Sequence, residues 1–74
     1  MKQSAARDQI LELWAEAPER ASYCTTDTIP AFNWYGRVIR REHPELLDFE
    51  FVGGDKWQII HSWIMDYERE QQSG

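Results

Sequence analysis

The sequence is poor in cross-links. It holds one cysteine, Cys24, so no disulfide can form within the chain. That cysteine and two histidines, His43 and His61, fall short of the four Cys/His ligands at paired spacings that a structural zinc site takes. No metal and no cofactor is expected. Long apolar runs are also missing: nothing approaches the roughly 20 residues of a membrane helix. Met1 to Gln9 is polar and lacks the apolar stretch of a secretory signal. A lone cysteine suits a reducing compartment, so the expected location is the cytoplasm. Repeats, low-complexity tracts and long linkers are absent too. The 74 residues read as one domain spanning 1–74, with 1–3 and 71–74 as frayed ends.

Positive charge is scarce: 8 Lys and Arg against 13 Asp and Glu, a net charge of −5. A dedicated nucleic-acid binder is usually basic, so this total disfavours DNA and RNA as partners. Catalytic constellations are lacking as well. A thiol nucleophile built on Cys24 and a histidine needs an orienting group and an oxyanion hole, and no local motif supplies them. Cys24 reads as a small half-buried hydrophobe, His43 as a turn residue and His61 as a partly buried polar contact. Gly53-Gly54-Asp55-Lys56 has neither the glycine spacing nor the Ser/Thr of a phosphate loop. The chain is not expected to be an enzyme.

What the sequence has instead is aromatic bulk, with four Trp, three Tyr and three Phe. A chain this short buries only about 60% of its unfolded surface. Large aromatics bring the most buried area per residue and can hold such a core together.

Apolar residues recur with helical periodicity in three places. Ile10, Leu13, Trp14 and Ala17, with Ala6, form one stripe of a helix over about 4–17, with Ser4 as N-cap and Pro18 as terminator. A connector over 19–28 follows, rich in cap and turn formers: Thr25, Thr26, Asp27 and Thr28. Pro30 then opens a second helix reaching about Glu42, with Phe32, Tyr35, Val38 and Ile39 as its apolar face. His43-Pro44 breaks it, and Pro44 to Asp48 reads as a short extra turn. Trp57, Ile60, Ile64 and Tyr67, widened by Ile59 and Trp63, form a third stripe over about 55–71, with Asp55 and Gln58 as a capping box.

The fold class that follows is mainly all-α: a small three-helix bundle with a short extended segment near 48–54. The alternative is a winged-helix-like α+β fold with a hairpin at 49–64. There Asp-Phe-Glu-Phe-Val alternates as a strand should and Gly53-Gly54 supplies a turn.

The outer face of the second helix is the one distinctive surface. At 100° per residue, Asn33, Trp34, Arg37 and Arg41 point away from Phe32, Tyr35 and Ile39, with Arg40 nearby. Trp and Arg dominate binding hot spots, so these five residues form the candidate partner-binding face. The competing reading puts Trp34 beneath the 19–28 connector and pairs the arginines with acids of the first helix. Glu42, Glu45, Asp48 and Glu50 follow directly and form a candidate acidic patch. Their bland role is to solvate the surface.

Composition and charge segregation point to an acidic protein-binding module, an accessory or inhibitory protein of the phage or mobile-element kind that occupies a partner's surface. Two alternatives stand beside it. One is a helix-turn-helix-like DNA binder using the arginine face. The other is a structural homo-oligomer, a homodimer in the simplest case, joined through surplus aromatics.

Overall fold

A computed structural model describes residues 2–24, 26–51 and 53–73. The first helix, α1, spans Gln3–Ala15. Lys2, not Ser4, holds the N-cap position, and its carbonyl accepts the Ala6 N–H at 3.0 Å. Ser4 lies inside the first turn and caps nothing. Pro18 has no N–H to continue α1 and instead takes the first position of a 3₁₀ turn, Pro18–Ser22. Cys24 and Asp27 then exchange backbone hydrogen bonds at 3.1 and 3.4 Å. The Asp27 carboxylate accepts the Ile29 N–H, which aims the chain into the next helix. Thr25, one of the expected turn formers, lies outside the described residues.

The second helix, α2, spans Ile29–Trp34 and runs without a break into a π-helical segment, Tyr35–Glu42. The wider winding ends where the His43 N–H reaches back five residues to the Val38 carbonyl at 2.9 Å. A 3₁₀ turn, Pro44–Leu47, realises the expected extra turn. The third helix, α3, spans Lys56–Ser73, two residues past its expected end.

Two devices set the entry into α3. The Asp55 carboxylate accepts the Trp57 N–H at 3.0 Å and satisfies one orphan donor of the first turn. Gln58 adds no reciprocal bond, so only half of the expected capping box forms. Gly54 takes φ 113°, which side chains other than glycine's rarely tolerate. The Lys56 ammonium meanwhile donates to the Leu47 carbonyl and lies 5.1 Å over the Phe49 ring, closing the 47–56 loop. With 56–73 helical and no strand among the described residues, the hairpin at 49–64 does not form. The adjacent Ile59-Ile60 pair also breaks the strict alternation that a strand there would need.

The core draws on Ala6, Ile10 and Trp14 of α1, Leu46 of the second 3₁₀ turn, Phe49 just after it, and Ile60, Trp63 and Ile64 of α3, while the first 3₁₀ turn buries none of its residues. The second helical run contributes Ala31, Trp34, Tyr35, Val38 and Ile39, an i, i+3, i+4, i+7, i+8 stripe. That stripe differs from the expected one in three positions. Ala31 and Trp34 are inside, and Phe32 is outside. Among the described residues no helix is long and apolar enough to cross a membrane.

Candidate interaction surface

Trp34 is only 1% exposed and meets the Trp14 ring edge-on at 5.1 Å. It therefore does not sit among the arginines of the outer face, and the reading that it packs inward holds. The stripe it shares with Ala31, Tyr35 and Val38 is the one that buries the larger ring.

The remaining residues of the expected face are at the surface but are not equivalent. Arg37 is engaged: its guanidinium makes bonds of 2.7 to 3.2 Å to both carboxylate oxygens of Glu19, tying the second helix to the first 3₁₀ turn. Its acid partner thus lies just beyond α1, not on it. Asn33, Arg40 and Arg41 are exposed, and neither Arg40 nor Arg41 has an ion-pair partner among the described residues. In the acidic stretch, Glu42, Glu45, Asp48 and Glu50 are all exposed. Glu45 bonds His43 at 3.3 Å, and its own backbone N–H together with that histidine holds its carboxyl below the usual range.

Phe32, expected on the buried stripe, and Ile29, with no role expected from the sequence, take Trp34's place at the surface. Ile29 is 67% exposed and Phe32 48% exposed. They lie one turn apart on α2 and form a small apolar patch. Scattered exposed hydrophobics are ordinary. What sets this pair apart is its support. The Phe32 ring meets Trp57 edge-on at 5.2 Å, and Trp57 lies 5.1 Å from Tyr35 and stacks on His61 at 5.2 Å and 21°. His61 meets Tyr23 ring-to-ring, with its Nε2 3.4 Å from the Tyr23 hydroxyl, and Tyr23 meets Trp14 edge-on at 5.5 Å. A continuous series of rings thus runs from Phe32 at the surface to Trp34 in the core. Such offset and edge-on pairs add packing specificity beyond their buried area.

Burial sets the electrostatics along this series. It holds the His61 imidazole below the ordinary histidine range, so the ring is neutral where it stacks on Trp57. It pushes the Tyr23 and Tyr35 phenols up; the carboxylates of Glu68 and Asp55 add to the respective shifts, and Arg40 opposes the one on Tyr35. Both tyrosines remain neutral donors at neutral pH.

A second cluster lies at the inner end of the series. One carboxylate oxygen of Glu68 accepts the Trp14 indole N–H at 3.0 Å and the Arg20 Nε–H at 2.8 Å. Arg20 in turn covers the Tyr67 ring at 5.1 Å, and the bond to Glu68 raises its pKa further. Sequence reasoning missed this cluster; its members are 48 and 54 positions apart, beyond any local spacing signal.

Two weaker sequence signals can be placed. The Cys24 thiol is exposed, not half-buried; its Sγ lies 3.2 Å from the Thr26 hydroxyl, whose hydrogen bond lowers the thiol pKa. Among the described residues neither histidine contacts it. At Gly53-Gly54, the Asp55 carboxylate already occupies the helix start an anion would use.

No family model matches the chain, and no curated protein or solved structure shows significant similarity to it.

Proposed function

We propose that the chain is a small protein-binding module, an accessory or inhibitory protein that works by docking the outer face of its second helix onto a partner. The observation that carries this reading is the exposed Ile29–Phe32 pair, in which the Phe32 ring is braced by the ring series behind it. An anchor held in one place loses little rotamer freedom on binding, and pre-organised aromatics make the strongest contacts of most interfaces. Arg40 and Arg41 lie beyond Phe32 along the same helical run, where unpaired cations steer the approach of a complementary surface.

A protein fits this face better than a duplex. Arg37 is engaged by Glu19 and Trp34 is buried, which leaves Arg40 and Arg41 as the free cations of the expected face. Two phosphate contacts give little affinity at physiological salt, and the net charge of −5 opposes even that.

The test is retention of a partner from lysate of the source organism on the immobilised chain, comparing wild type with Phe32→Asp and with Arg40→Glu/Arg41→Glu at low and high salt. Phe32→Asp is expected to abolish retention, and the double variant to weaken it most at low salt. Failure to retain any protein, or retention unaffected by Phe32→Asp, overturns the proposal. A wild-type mobility shift of duplex DNA that Arg40→Ala/Arg41→Ala removes would favour the DNA reading.

A further inference from the structure

Gly36 stands on the same face, one turn after Phe32 and one turn before Arg40, and nothing inside the fold asks for a glycine there. Its φ is not positive, and a Cβ built on it meets no atom within 4 Å. Within a helical run glycine is disfavoured relative to alanine, because its backbone loses more freedom on ordering. What a bare Cα offers is close approach by another backbone from outside. On one side of this flat spot lie the exposed Ile29 and Phe32; on the other lies Arg40, with no carboxylate partner among the described residues.

We infer that the occupant of this face is a second copy of the chain, the two second helices crossing antiparallel about a twofold axis at Gly36. The inference rests on reading the face as an interaction surface. In this register residues equally far before and after position 36 face each other. Phe32 of each copy meets Arg40 of the other, a cation–π contact made twice. The two glycines meet at the axis, where the backbones come closest.

The face is self-complementary through its aromatic and cationic halves, not through opposite charges. Its apolar half and its cationic half are separated by the glycine, so antiparallel crossing sets unlike halves together. The two Arg40 groups then lie about eight residues apart along the crossing, on opposite sides of the twofold axis, and do not face each other. A parallel crossing would set arginine on arginine. An interface of standard size, about 800 Å² per partner, takes about one-sixth of the 4942 Å² accessible surface and covers the apolar pair.

Sedimentation of the full chain from micromolar to millimolar concentration tests the inference. Wild type is expected to pass from monomer to dimer mass. Gly36→Arg is expected to stay monomeric throughout with an unchanged helical circular dichroism spectrum, because its Cβ has open space in the fold. In a Cys24→Ser background, oxidised Gly36→Cys is expected to give a disulfide-linked dimer, whereas Gln9→Cys on exposed α1 is not. A wild type that is monomeric to millimolar concentration overturns the inference, as does a dimer that Gly36→Arg leaves intact. A monomeric wild type that still retains a partner protein through Phe32 removes the dimer alone and leaves the proposed function standing.

Discussion

Replacing Glu68 by alanine removes the group on which α1, the first 3₁₀ turn and α3 converge. Its Oε1 accepts both the Trp14 indole N–H and the Arg20 Nε–H. Trp14 is fully buried, so its N–H is left without a partner, at a cost of about 1–3 kcal/mol. The Arg20 side chain is 31% exposed, and solvent screening limits the loss of its ion pair to about 1 kcal/mol. The variant should therefore lose about 2–4 kcal/mol. For a domain of this size each kcal/mol lowers Tm by about 4–8 °C, so the melting transition moves by roughly 8–32 °C. Glu68→Gln keeps a carbonyl oxygen for the indole and gives up only the charge, so it should lose about 1 kcal/mol. Thermal and urea unfolding followed by far-UV circular dichroism measure both. The Gly36→Arg background keeps self-association out of the comparison. Equal destabilisation by Ala and Gln, or an Ala variant within about 0.5 kcal/mol of its parent, would refute the reasoning that the indole N–H depends on this carboxylate.

Trp34→Ala should cost about 3–5 kcal/mol as a core truncation, and a cost under about 1 kcal/mol would contradict its burial. Phe32→Ala should cost under about 1 kcal/mol of stability but weaken partner binding by about tenfold or more, read by titration calorimetry. Gly36→Ala should raise monomer stability by about 0.5–1 kcal/mol, since the φ suits alanine and the space is open; a loss of stability would show a constraint on that face. His61 has a lower pKa folded than unfolded, so the unfolded chain binds the proton first as pH falls. Stability from this group is full above about pH 7, declines as pH drops through the ordinary histidine range, and levels off once the folded pKa is passed. His61→Leu should flatten that decline, and a wild type equally stable at pH 7 and 5.5 would refute it.

The helices were legible because their periodicity is long and their ends are marked. Trp57, Ile60, Ile64 and Tyr67 keep one phase through α3, and Asp55 supplies the cap that a strand would not need. The second helix carried two competing phases. One starts at Phe32, the other at Ala31; they share Tyr35, Val38 and Ile39 but assign Phe32 and Trp34 oppositely. Alanine is nearly neutral to a pattern built on large side chains, so the phase that begins with it leaves little mark in the sequence. Yet it brings the larger Trp34 ring against Trp14. The π winding from Tyr35 has no sequence mark of its own, since its five-residue reach depends on the packing around it.

Adjacency in sequence was a poor guide to the arginines for a related reason. Arg37, Arg40 and Arg41 form one basic cluster on paper, but a carboxylate 18 positions away from Arg37 takes that residue out of it. What remains for binding is decided by what the fold leaves unsatisfied. A chain this small has little apolar surface to spare, and a solvated polar side chain would serve position 32 equally well for solubility. A phenylalanine there, braced by Trp57 and followed by a glycine with open space above it, joins an anchor to a clear approach. The proposed binding role rests on that combination: rigidity lowers the cost of association, and the missing Cβ would let a second backbone come close enough to use the anchor.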